Sequence, residues 1–246
     1  MKMYSAIIHK KGIRNAFDED ALTSLVFDTL RFLPDDILHA YLATAENMNG
    51  SKLSELLLSP FTKPKIHFWK SFKPEGDWKG DGCIPDSIMI WNDLVIVEES
   101  KWESPKSGAG IEDADLRDQL VKEFLVAKRL GEDIKNFVVL YITDDLTMPT
   151  EDLKESQDAF AELRKDIPIK EFRSRIYWTN WHNLADILSN RHSDLGHDLY
   201  EALGVLGISL PFSGFNFKFE PLDRELLNQN YIIFEFHGRQ DREAGR

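Results

Sequence analysis

The chain has 246 residues, 42% of them hydrophobic and 11% aromatic, ample for a core in one large α/β domain or in a core with an appended module. Its net charge of −12 argues against a general nucleic-acid coat protein, and Cys83, the only cysteine, excludes an intrachain disulfide and suits a reducing compartment. No apolar run approaches the roughly 18–20 residues of a bilayer span, and residues 1–10 are too short in their apolar part for a signal peptide, so a soluble, cytoplasmic protein without membrane contact is expected.

A first helix is predicted over 18–33, with Leu22, Leu25, Val26, Leu30 and Leu33 on one face and Pro34 as its stop. Helical pieces follow at 35–47 and 51–58. Residues 65–72 have the pattern of a strand, closed by a turn at Pro74-Glu75-Gly76-Asp77. Two strands, 85–91 and 94–101, then flank Asn92-Asp93, a dipeptide suited to the positive φ angles of a tight hairpin. A Ser/Pro/Gly loop at 103–110 leads into a helix over 112–130. Residues 136–143 are nearly unbroken apolar, as expected of a strand covered on both faces. A polar helix over 151–165, a strand over 175–179 and helices over 182–188 and 193–206 follow, the last ending at Gly207. Residues 238–246 are polar and expected to fray. This order predicts an α/β fold with a central mixed sheet flanked by helices. Residues 1–190 would form its core and 191–246 a C-terminal helical extension packed on it, together one compact domain.

The hairpin carries ionisable groups where a sheet is usually apolar. A two-residue loop pairs Trp91 with Leu94, Ile90 with Val95 and Ile88 with Val97, while Met89 and Ile96 pair on the opposite side. A ribbon apolar on both faces belongs in the centre of a sheet. The same register sets Asp86 opposite Glu99, about 4.5–5.5 Å apart at Cβ, with Lys101 two residues on and on the same face. Opposed carboxylates repel unless a divalent cation lies between them. One ammonium does not cancel both in a half-buried site, so a salt bridge alone would leave one acid with a raised pKa. The prediction is a metal-binding carboxylate pair beside an ammonium. Glu98 falls on the other face, as a solvated or helix-facing group, unless a bulge exchanges it with Glu99.

Pro85-Asp86, twelve intervening positions, then Glu99-Ser100-Lys101 resemble the signature of the PD-(D/E)XK nuclease superfamily, and the element order resembles its αβββαβ restriction-endonuclease-like core. Gln119, in Asp118-Gln-Leu-Val-Lys-Glu-Phe124, looks like the glutamine many members carry on the following helix. Glu19, in Glu19-Asp-Ala-Leu-Thr23, looks like the acid the first helix often adds. The resemblance covers roughly residues 15 to 180. It implies divalent-metal-dependent hydrolysis of phosphodiesters, usually in DNA, in a restriction or phage-defence setting with a partner protein or as a homo-oligomer. Asp86 and Glu99 would be hard oxygen ligands for Mg²⁺ or Mn²⁺, with the Ser100 carbonyl and Glu19 adding to the set. Lys101 would be catalytic and Gln119 supporting. The alternative is a catalytically silent subunit that keeps the fold to bind or scaffold.

Other residues have plainer explanations. Glu19 suits the first turn of a helix through the dipole alone, with Asp20 its nearest competitor for the role. Gln119 lies among Leu116, Leu120 and Phe124 and is expected to point inward. Lys63, Lys65, Lys70, Lys73 and Lys79 form a basic stretch interleaved with His67, Phe68, Trp69 and Trp78, compatible with nucleic-acid contact, although such aromatics are more often core or hairpin residues. Trp178 and Trp181 are expected to pack, Cys83 to be structural, and His182 to be a weak site candidate.

Overall fold

In the computed structural model, Asp18 accepts a hydrogen bond from Ala21 N at 2.9 Å and caps helix α1, Glu19–Leu30. The structure describes residues 18–57, 63–74, 81–102, 111–112, 115–190 and 193–208. All belong to one unit, Met1–Leu210, and the second unit, Pro211–Arg246, lies outside the described residues. So do the expected turn residues 75–77, the loop 103–110, Trp78, Lys79 and the tail 238–246.

α1 ends before Pro34 is reached, although Leu33 stays buried in the turn that follows. Helix α2, Asp35–Ala43, also stops short. Asn47 Oδ1 accepts from the backbone of Asn49 and Ser51 at 2.9 and 3.1 Å, and this local bonding competes with helix. Glu46–Asn47 becomes strand β1 instead. The piece expected at 51–58 reduces to a 3₁₀ turn, Leu53–Glu55. Strand β2, Lys65–Phe68, is halved because Trp69 takes φ +48°. Beyond it Phe72 and Cys83 pair as an isolated bridge.

Strands β3, Ser87–Ile90, and β4, Leu94–Ser100, form the hairpin in the predicted register, Ile90 with Val95 through Ser87 with Glu98. Trp91 N donates to Leu94 O at 2.9 Å. Neither Asn92 nor Asp93 adopts the expected positive φ. The expected helix over 112–130 begins only at Gln119. Ile111–Glu112 (β5) and Asp115–Leu116 (β6) pair with each other, and Asp118 caps helix α3, Gln119–Leu130, by accepting from Val121 N at 3.0 Å.

Strand β7, Asn136–Thr143, helix α4, Thr150–Leu163, and strand β8, Ile176–Asn180, follow the prediction closely. Helix α5, Ile169–Arg175, between α4 and β8, was not expected. Helices α6, Trp181–Ser189, and α7, Asp194–Val205, complete the unit.

The six-stranded sheet runs β1-β8-β7-β4-β3-β2. It is antiparallel through β2, β3 and β4, parallel through β4, β7 and β8, and antiparallel again at β1. All seven residues of central β4 are buried. On one side Met89, Ile96, Val138 and Leu140 pack among residues of α1, α2, α6 and α7. On the other, Ile88, Val97, Val139 and Tyr141 meet α3, α4 and α5, where Phe124, Phe160 and Phe172 cluster. Each fully buried Val or Ile contributes about 1.5–3 kcal/mol. The carboxyl end of β4 is thus held from both sides, and the residues that follow emerge on a rigid base.

Candidate metal centre

Ser87 pairs with Glu98, so Asp86, one step outside β3, meets Glu99 as the register requires. Both are buried, 7% and 3% exposed. The N-terminus of α1 brings a third acid: ligand oxygens of Glu19, Asp86 and Glu99 all lie within 4.8 Å of one another. Asp20, its neighbour, is exposed.

The surrounding bonds fix these side chains. Asp86 Oδ2 accepts from Ser100 N and Ser100 Oγ, both at 2.9 Å. Ser100 Oγ also contacts Thr23 Oγ1, which ties α1 to the end of β4. Glu19 Oε2 accepts from Trp102 N at 3.2 Å. Lys101 Nζ lies 2.6 Å from Glu99 Oε1 and 2.7 Å from Glu19 Oε1. Its backbone is pinned as well, N–H to Ile142 O at 2.7 Å and carbonyl to Trp181 Nε1 at 3.2 Å. Gln119, in the first turn of α3, points inward as expected, with Nε2 3.4 Å from Glu99 Oε2 and 3.0 Å from Glu123 Oε1.

Three acids share one ammonium, and the electrostatics show the strain. Burial, reinforced by the charge of Glu99, pushes Asp86 up to about 7, against the pull of the two Ser100 bonds. Burial alone would lower Lys101, but Glu99 and Glu19 outweigh it and hold the ammonium above its usual range. Glu123 is fully buried and raised well above the carboxylate range, first by burial and then by Glu99. Its Oε2 meets no donor among the described residues. Protonation resolves this, because a neutral Glu123 can itself donate toward Glu99.

Glu123, Thr23 and Trp181 are site-shaping residues that motif reasoning passed over. Glu123 and Thr23 each stand four residues after a predicted site residue, Gln119 and Glu19, and so share its helix face. That spacing was the available signal. Trp181 had none, since its role depends on where β8 ends.

The other candidates fall elsewhere. Glu98 is fully buried on the opposite face and accepts from Ser87 Oγ at 2.7 Å. The solvated alternative is therefore wrong, because α1 and α2 cover that face of the sheet. His182 Nε2 lies 3.2 Å from Asp144 Oδ1, outside the acidic cluster. Cys83 is buried, its thiol pushed up to about 12 by burial and then by Glu99. Trp178 is buried with Nε1 on Thr143 Oγ1 at 3.0 Å.

The donor set suits a hard divalent cation. Oxygens on one Mg²⁺ at about 2.0–2.1 Å stand about 3 Å apart when adjacent and about 4 Å when opposite. Ligand oxygens of the three carboxylates, all within 4.8 Å of one another, stand near that spacing. No family model, curated protein or solved structure matches this chain. Among the described residues no helix is long and apolar enough to cross a membrane.

Proposed function

We propose that this protein is a Mg²⁺- or Mn²⁺-dependent nuclease that hydrolyses DNA phosphodiester bonds, a PD-(D/E)XK enzyme with a restriction-endonuclease-like core. The observation that carries this reading is the convergence of Glu19, Asp86 and Glu99 within 4.8 Å, beside Lys101, at the end of a central strand. Order and pairing add support: helix α1, the antiparallel run β2-β3-β4, helix α3, then β7 parallel to β4.

Asp86, Glu99 and Glu19 would hold the ion, with the Ser100 carbonyl beside them. Bound there, the ion supplies a water activated near neutral pH and a counter-charge for the scissile phosphate. Asp86 enters this role deprotonated, with Ser100 N and Oγ fixing its rotamer. Gln119 steadies Glu99. Lys101, swung from Glu19 toward substrate, would set its ammonium against the phosphoryl oxygens on which charge builds as the water oxygen bonds phosphorus, giving its proton to solvent, and the P–O bond to the leaving sugar breaks, the sugar oxygen taking a proton from solvent. A role in restriction or phage defence, with a partner protein or as a homo-oligomer, rests on the family resemblance alone.

The test is nicking of supercoiled plasmid with Mg²⁺ or Mn²⁺. Wild type nicks, whereas Asp86→Ala and Lys101→Ala do not; equal nicking by all three refutes the proposed site. One observation favours a silent scaffold instead: Lys101 already pairs with both Glu99 and Glu19, at 2.6 and 2.7 Å. Calorimetry with Mn²⁺ separates the two. Heat of binding that Glu99→Gln abolishes supports the nuclease, and no binding by wild type supports the scaffold.

A further inference from the structure

The acidic site has a neighbour along the sheet that the proposed chemistry leaves unused. Phe68 pairs with Ser87, so Trp69 stands opposite Asp86, and Trp69 N donates to Asp86 O at 3.3 Å. Glu99 pairs with Tyr141 and Tyr141 with Trp178. Trp69, Asp86 and Glu99 therefore occupy one row across three strands, with Trp69 at the open edge. At about 4.8 Å per strand its backbone lies roughly 10 Å from that of Glu99, a span of about three stacked nucleotides.

Two features set Trp69 apart. It is 45% exposed although large and aromatic. It holds φ +48°, the only positive φ outside glycine among the described residues, a conformation that is costly for a bulky side chain and clusters at functional sites. Ile84, 53% exposed and two residues before Asp86, gives the site a second apolar flank. Around them Lys65, Lys70 and Lys73 are exposed and form no ion pair among the described residues. This cationic, aromatic edge contrasts with the −12 charge of the whole chain.

We infer that the β2 edge is a docking strip for an unpaired polynucleotide strand, one base stacking on Trp69 while Lys65 and Lys70 contact phosphates and lead the chain toward Asp86 and Glu99. An aromatic face takes up an unpaired base, and duplex bases are already stacked on one another. The inference rests on the nuclease reading for its direction and narrows the substrate to single strands, tails or unpaired segments.

Binding is measured by fluorescence anisotropy in EDTA, where no cleavage occurs, with labelled oligo(dT), oligo(rU) and a mixed-sequence duplex of about 20 nucleotides each. Wild type binds a single strand about tenfold more tightly than duplex. Trp69→Ala loses about tenfold on the single strand and nothing on duplex, while Trp69→Phe keeps most of the affinity. Lys65→Glu with Lys70→Glu weakens every probe and flattens the salt dependence. The better of the two single strands identifies the substrate as DNA or RNA. Duplex bound as tightly as single strand, or a Trp69→Ala protein with unchanged affinity, overturns the strip. Trp69-dependent binding by a protein that cleaves neither plasmid nor the labelled single strands with Mg²⁺ or Mn²⁺ keeps the strip and removes the nuclease. Nicking with Trp69-independent binding does the reverse.

Discussion

Asp86→Asn in metal-free protein is the sharpest probe of the site. Asp86 is folded with its pKa near 7 against an ordinary 3.8, raised by burial and Glu99. Between those values the folded chain holds a proton that the unfolded chain has lost. Its contribution is therefore fully present below about pH 4 and is lost as pH rises through 7. Three units at about 1.4 kcal/mol each set a ceiling of about 4 kcal/mol. Asparagine keeps an oxygen for Ser100 N and Oγ and removes the charge facing Glu99, so the variant escapes this loss. Urea denaturation in EDTA at pH 5, 6, 7 and 8 measures the difference between the two proteins. Glu98 and Glu123 are raised first by burial and also by the Asp86 charge, so the variant relieves them in the same direction and they add to that difference. Because about 1.6 kcal/mol of the Asp86 contribution is already lost at pH 5, the variant gains up to about 2.7 kcal/mol on wild type between pH 5 and pH 8. Mn²⁺ at about 100 times its Kd then adds about 2.7 kcal/mol to wild type and little to the variant. A variant less stable than wild type at pH 8 would refute the electrostatic account.

Lys101→Met removes the counter-ion of Glu99 and Glu19, so metal-free protein loses about 3–5 kcal/mol, while Mn²⁺ affinity by calorimetry rises because the ammonium no longer competes; weaker Mn²⁺ binding contradicts this. Ser87→Ala leaves buried Glu98 without its 2.7 Å donor and costs about 1–3 kcal/mol by urea denaturation, with plasmid nicking retained, because Glu98 faces away from the site. Glu123→Gln keeps the contact with Gln119, so metal-free stability at pH 7 changes by less than about 1 kcal/mol, whereas Glu123→Ala opens a cavity and costs about 2 kcal/mol or more.

The hairpin was legible because alternation and a two-residue loop leave one register that buries both apolar faces, and that register alone opposes Asp86 to Glu99. Strand β7 was legible for the same reason, being apolar at consecutive positions. Helix ends were less so. Asp118 lies inside a plausible helical stretch, and only its bond to Val121 N, with Ser156 Oγ on its other oxygen at 3.0 Å, marks it as the cap. Helix α5 is short, with Lys170, Arg173 and Arg175 obscuring its periodicity, and it depends on Phe172 packing against Phe124 and Phe160. Trp69 kept the pattern of a strand, and nothing in its residue type signals its positive φ.

Glu98 and Glu99 show why register, rather than motif, defines this centre. They are adjacent, alike in chemistry and both buried, yet period-two alternation sends them to opposite faces. Glu98 meets Ser87 and the side of α2 that carries Tyr41, and burial, then the Asp86 charge, raises its pKa well above the carboxylate range. Glu99 meets the Lys101 ammonium, the Gln119 amide and two further carboxylates. A one-residue slip would exchange them and turn Lys101 into the apolar face. The unbulged ladder from Ile90–Val95 to Ser87–Glu98 forbids that slip, because it would also turn Val95 and Val97 away from the core they fill. The hydrophobic pairs of the hairpin therefore select which carboxylate is available to a cation.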